Sequence, residues 1–144
     1  MTPAADITVS LVGFADCGET LLAIRREVFV QEQNVPETIE VDGRDECRVH
    51  VLACLDDQPV GTGRMQPDGH LGRIAVRQAF RGRGVGSRIM RTLIVEARRQ
   101  GLASVYLGSQ THAQAFYEGL GFEPYGETFV EAGIPHIMMR LALG

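Results

Sequence analysis

The stretch over residues 71–99 constrains this chain more than any other, because it reads as a strand, a glycine-rich loop and a helix in unbroken succession. LGRIAV has the apolar pattern of a strand, and Val85, Ile89, Leu93 and Ala97 recur every four residues, as one face of an amphipathic helix requires. Between them runs RQAFRGRGVGS, which sets Gly82, Gly84 and Gly86 at alternate positions where the strand passes into the helix. Alternate glycines let backbone N–H groups converge on an anion, and the positive helix end adds its partial charge. A pyrophosphate would sit well there. For the glycines alone, a tight strand-to-helix connection that binds nothing is the plain alternative.

Charge favours the ligand. All 14 basic residues are arginine, and residues 73–99 hold eight of them against one acid, Glu96, a net +7. The rest of the chain carries −11, giving −4 overall. A basic segment inside an acidic chain suggests a polyanion docking at one place, where a solvated arginine-rich helix face is the simpler account. Nucleic acid fits poorly: only Phe80 interrupts the segment as an aromatic, the pI is about 5.5, and no groove-reading or base-stacking motif accompanies the arginines. A small phosphorylated ligand fits better. The absence of lysine excludes Walker A loops and Schiff-base catalysis.

At 144 residues the chain has room for one core, and residues 1–144 are expected to form a single domain. Ile7, Val9 and Leu11 alternate as a first strand, and Asp16 with Glu19 three residues on predicts an N-capped helix running to about Val30. Residues 31–46 are polar, acidic and broken by Pro36 and Gly43, which predicts a loop. Val49, Val51, Ala53 and Leu55 alternate as a strand, residues 60–65 return antiparallel, and Asp68-Gly69 supplies a tight turn into LGRIAV. After the central helix, Val105 and Leu107 make another strand. Thr111 and Gln114, at capping-box spacing, open a helix with Ala113, Phe116, Tyr117 and Leu120 on one side, ended by Gly121. Strands over 122–130 and 136–141 complete the order βαβββαβαββ, an α/β (α+β) fold with a mixed, largely antiparallel sheet.

No segment approaches the roughly 18 apolar residues of a membrane span, and MTPAADITVS has no basic start followed by an apolar stretch. Cys17, Cys47 and Cys54 are odd in number and not paired in spacing, which suits a reducing cytoplasm. Strand parity puts Cys47 opposite His50 and Cys54, so no metal site is expected from them.

A dinucleotide fingerprint needs an acid about 20 residues beyond its glycines to hold a ribose; after Glu96 the next acid is Glu118, and ASVYLGSQ has none. Three antiparallel-looking strands also precede the loop, whereas a Rossmann unit places its glycine loop after the first.

Arg81-Gly82-Arg83-Gly84-Val85-Gly86 instead resembles the acetyl-CoA signature of the GCN5-related N-acetyltransferases (GNAT): Arg or Gln, two residues, Gly, one residue, then Gly or Ala. Downstream, the run from Gln110 through Ala113, Phe116 and Tyr117 to Gly121-Phe122 is similar to that family's second signature, with Gln110 where asparagine is commoner. The segments around Arg25, Val28 and Phe29 and around Gly133, Ile134 and His136 resemble the ElaA and YjcF-like branch.

The resemblance implies a GNAT fold and an acetyl-CoA-dependent N-acetyltransferase acting by direct attack in a ternary complex. The acceptor would be a small-molecule amine, with a peptide or protein amine as the other choice. Residues 81–87, ending in Val85, Gly86 and Ser87, would hold the pyrophosphate. Ile74, Ala75 and Val76 would pair with the pantetheine arm, a backbone N–H near Ile74 would polarise the carbonyl, and Tyr117 would be the general acid. Members of that family often pair subunits through late strands, so a homodimer is one expectation.

From the residues themselves, Tyr117 also reads as part of a helix's core face. His136 is the first candidate for a base, since it opens the last strand and shares parity with Met138 and Arg140 while Ile137, Met139 and Leu141 face the core. The acids Glu40, Asp42 and Asp45 are alternatives, and Arg25, Arg64 and Arg73 suit an anionic acceptor. The contrasting class is a module that binds acyl-CoA or another phosphorylated ligand and catalyses nothing.

Overall fold

The structure, a computed structural model, describes residues 7–32 and 49–143; the side chains of Phe14, Ala15, Val30, Gln31, Glu32 and Arg73 are not described. Glu40, Asp42, Asp45, Cys47 and most of the predicted acidic loop therefore lie outside the described residues.

The elements follow in the predicted order: β1 (Ile7–Val12), α1 (Phe14–Arg25), β2 (Val49–Leu55), β3 (Gln58–Met65), β4 (Leu71–Val76), α2 (Val85–Arg99), β5 (Ser104–Gln110), α3 (Gln114–Glu118), β6 (Glu123–Glu131) and β7 (Ile134–Ala142). One mixed sheet was expected. The strands instead form two antiparallel sheets, ordered β1-β2-β3-β4 and β5-β7-β6.

Parallel pairing survives only as a bridge between His70 and Tyr106 among the described residues. At that seam the two rings stack with centroids 4.7 Å apart, Tyr106 N donates to Gly69 O at 3.1 Å, and the Tyr106 hydroxyl donates to Asp68. That hydrogen bond to Asp68 pushes the Tyr106 hydroxyl up to about 12 and holds the Asp68 carboxyl below its ordinary value. Beyond the seam β4 and β5 diverge.

The core lies where α2 packs against β3. Val85, Ile89, Leu93 and Ala97 are all buried, as their spacing predicts, joined by Met65, Leu71, Val105 and Met139. Gly61 and Gly63 let the helix approach. A β-carbon at Gly63 would stand 2.8 Å from Ile89 Cγ2 and 2.9 Å from Ile74 Cδ1. On the other face of this sheet, Ile24 of α1 and Val28 of the turns that follow it pack against Ala75.

Several local expectations are corrected. The first helix is α-helical only to Arg25 and then widens into π-type turns over Arg26–Glu32, bringing Val28 and Phe29 to the edge of the cavity described below. Gly13, not Asp16, is its N-cap, and Asp16 lies in the first turn, where a carboxylate suits the positive helix end. Leu11 is exposed on edge strand β1, and Val12 turns inward instead. Thr111 to Ala113 form a 3₁₀ turn, so α3 begins at Gln114 without a side-chain cap. Being so short, α3 leaves Phe116 exposed.

Candidate active site

The divergence of β4 and β5 opens a cavity of about 950 Å³, near the upper end of the roughly 300–1,000 Å³ range of ligand pockets. Its walls are β4, the glycine loop and first turn of α2, β5, α3, and the β6–β7 hairpin.

The loop has the shape its glycines require. Gly82 and Gly84 adopt φ of +77° and +82°, a region that L side chains rarely enter, and a β-carbon at either would meet no atom within 4 Å. Gly84 is the N-cap of α2, which has no side-chain cap. The first helical bond shown at this end runs from Arg88 N to Gly84 O at 3.2 Å, so the amides of Val85, Gly86 and Ser87 have no acceptor within the helix. Left-handed glycines beside uncapped amides at a helix N-terminus form a concavity suited to phosphate. Arg81 Nε donates to Val76 O at 2.9 Å, securing the loop to the end of β4. Behind it, Arg77 and Arg83 both stand within cation–π reach of Phe80, at 5.4 and 5.9 Å, and Arg77 Nε bonds Glu27 at 3.0 Å.

Two groups able to move or hold a proton line the same cavity. Tyr117 in α3 packs edge-on to Phe116 and Phe122, with centroids 5.0 and 6.0 Å apart, and burial pushes its hydroxyl up to about 12. His136 in β7 is buried, 9% exposed, and pairs across the sheet with Gln110, another cavity residue. Its Nδ1 lies 2.6 Å from Ile134 O. A carbonyl oxygen only accepts, so Nδ1 carries the hydrogen and Nε2 is the bare nitrogen of the neutral ring.

Of the residues singled out in the sequence, Ile74, Val76, Arg81, Gly82, Gly84, Val85, Gly86, Ser87, Gln110, Tyr117 and His136 all line this cavity. Ala75 does not: strand alternation turns its side chain into the α1 interface. Arg83 lies over Phe80 instead. Arg64 lines the cavity and is 3% exposed, whereas Arg25, the last residue of α1, is buried and is not part of the cavity lining. Phe129, Met138, Gly108 and His70 also line it, although nothing in the sequence reading singled out Phe129, Gly108 or His70. Period-2 alternation was the one available signal for Phe129, and an irregular register in β6 breaks it.

The acetyltransferase (GNAT) domain family model matches residues 9–143, nearly the whole chain. The chain belongs to the GNAT acetyltransferase family. It is 40% identical over 120 residues to the uncharacterized N-acetyltransferase YjcF of Bacillus subtilis, covering 81% of this chain and 86% of that one. Protein ElaA of Escherichia coli is 40% identical over 128 residues, 83% of each. Among solved structures, an acyl-CoA N-acyltransferase from Pseudomonas aeruginosa superposes with a TM-score of 0.81 at 36% identity, over 95% of this chain and 99% of that one. This chain is thus an N-acetyltransferase of a family that uses acyl-CoA, and the open glycine cradle at Gly82 and Gly84 fits the pyrophosphate of such a cosubstrate.

Proposed function

We propose that this acetyltransferase moves an acetyl group from acetyl-CoA to the primary amine of a small molecule by direct attack in a ternary complex. The observation that carries this reading is one cavity whose lining includes the glycine cradle, Tyr117 and His136, the last with its Nδ1 against Ile134 O. Acetyl-CoA supplies an activated thioester. The α2 amides from Val85 to Ser87 would hold its pyrophosphate, and backbone near Ile74 would orient the carbonyl. The amine nitrogen bonds to the acyl carbon, the C–S bond breaks, Nε2 takes the proton the amine loses, and Tyr117 donates a hydrogen bond to the departing sulfur. A primary amine of pKa about 10.4 is only about one part in a few thousand neutral at pH 7, so a proton acceptor matters. The reaction is expected in the cytoplasm, where acetyl-CoA is made and thiols stay reduced.

Calorimetric titration with acetyl-CoA, against dephospho-CoA and NAD as controls, tests the donor half. Saturable one-to-one binding preferring acetyl-CoA supports it; no binding to folded protein sinks it. Release of CoA thiol with a panel of amines (a polyamine, an aminoglycoside, a free amino acid and a lysine peptide) tests the acceptor half. Turnover confined to the peptide would replace the small molecule with a protein amine.

Gly84→Val should weaken acetyl-CoA binding at least about tenfold, because a branched side chain is strained at φ +82° and occupies the cradle. An unchanged titration would place the pyrophosphate elsewhere. His136→Ala should lower kcat at least about a hundredfold, the low end of general-base effects, with acetyl-CoA affinity retained. Wild-type turnover in this variant would remove His136 as the base.

A further inference from the structure

We propose that Phe129 is a positioning residue for His136: its ring, with the Ile134 carbonyl, holds the imidazole as the Nδ1–H tautomer and keeps Nε2 bare. This rests on the reading of His136 as the proton acceptor.

Phe129 stands directly opposite His136 across β6 and β7, and the two rings stack with centroids 5.6 Å apart and planes 22° from parallel. A β-carbon at Gly108 would lie 3.6 Å from Phe129 Cζ and 3.6 Å from Met138 Sδ. The Phe129 ring therefore reaches from β6 across β7 to the bare backbone of β5. Both separations are ordinary van der Waals contact, so the ring lies packed against the backbone of β5 at Gly108.

The pairing is not what simple strand register gives. Glu123, Tyr125 and their partners Arg140 and Met138 set one register, and Phe129, Glu131 and their partners His136 and Ile134 set another, with the shift between Tyr125 and Phe129. Two extra residues in β6 make that shift, beside Gly126 at φ +73°. Carried on unbroken, the first register would set Glu127 opposite His136. A carboxylate there would compete for the ring proton that Nδ1 gives to Ile134 O. The bulge replaces it with an aromatic face, which restrains the imidazole plane and accepts no proton. Bulges re-aim side chains in this way beside active sites.

An unrestrained histidine favours its proton on Nε2, the wrong nitrogen for a base that must use Nε2. Nitrogen-15 spectra of the histidine rings, recorded on ligand-free protein at about pH 9, above the usual imidazole range, read the tautomer directly. Wild type should show a protonated Nδ1 and a bare Nε2 at His136. Phe129→Leu should move the signals toward the Nε2–H form and lower kcat about tenfold on the fastest amine of the panel, with KM for acetyl-CoA unchanged. Phe129→Tyr, which keeps the ring, should restore both. Phe129 is 36% exposed on an edge strand, so the leucine variant should melt near wild type.

A wild-type Nε2–H tautomer, unchanged nitrogen signals in Phe129→Leu, an unchanged kcat, or a tyrosine variant no better than leucine would each overturn the proposal. The nitrogen signals need no substrate. Failure of the base reading is separate and shows as wild-type turnover in His136→Ala.

Discussion

Tyr117→Phe should lower kcat about a hundredfold and leave acetyl-CoA affinity within about twofold, as expected for a group that acts on the leaving sulfur and not on the bound ground state. The hydroxyl is pushed up to about 12 by burial alone, since desolvation penalises the phenolate. Against a thiol of pKa about 8.5, full proton transfer would be uphill by about 5 kcal/mol. Tyr117 therefore acts by donating a hydrogen bond to the sulfur as charge develops, which phenylalanine cannot do. The sign for pH follows. A phenol raised to about 12 stays protonated through the working range, so any alkaline limb below about pH 11 belongs to another group and should look the same in wild type and Tyr117→Phe. Stopped-flow thiol release and calorimetry on the same samples check both parts. Equal losses in kcat and in acetyl-CoA binding would show that the hydroxyl acts on the bound ground state and not on the leaving sulfur.

Gly63→Ala should cost about 3 kcal/mol of stability, the top of the usual range for overpacking, and lower the melting temperature by roughly 10 °C. The new methyl would stand 2.8 Å from Ile89 Cγ2, a branch methyl that cannot swing away, 2.9 Å from Ile74 Cδ1 and 3.1 Å from Leu93 Cδ1. Ile89 and Leu93 are fully buried, so relief requires α2 to move off β3. Since α2 begins at the glycine cradle, acetyl-CoA affinity should fall as well. Gly72→Ala is the control. Its β-carbon would meet nothing within 4 Å, and alanine restricts the unfolded chain, so this variant should melt at or slightly above wild type. Similar melting temperatures for the two variants would mean that the contact between α2 and β3 is looser than described.

How far the sequence carried depended on how local each cause is. The Val85, Ile89, Leu93, Ala97 spacing fixes which face of α2 is buried before any partner is known, and all four are buried. The glycines at 82 and 84 declare their backbone through the absence of a side chain, and both adopt positive φ. Parity in the last strand turned His136 away from Met139 correctly. These are one-dimensional signals, and they determined the element order and the loop, whereas Ile74, Val76, Gln110 and Tyr117 entered the cavity wall through the family resemblance.

What they could not determine is how elements far apart in sequence meet. Alternation says nothing of whether β4 and β5 stay paired, and their divergence past the stacked His70 and Tyr106 is what opens the cavity. Glycine in a strand reads as weakness, whereas Gly61 and Gly63 are the surface on which α2 rests. The bulge between Tyr125 and Phe129 changes which side chain faces His136, and it exists only as a relation between β6 and β7. The desolvation that raises the Tyr117 hydroxyl exists only in the folded chain, where its ring packs edge-on to Phe116 and Phe122. Local backbone preference and side-chain period are written in the chain, whereas divergence, close approach, register and desolvation depend on contacts between elements, and only the tertiary structure sets those.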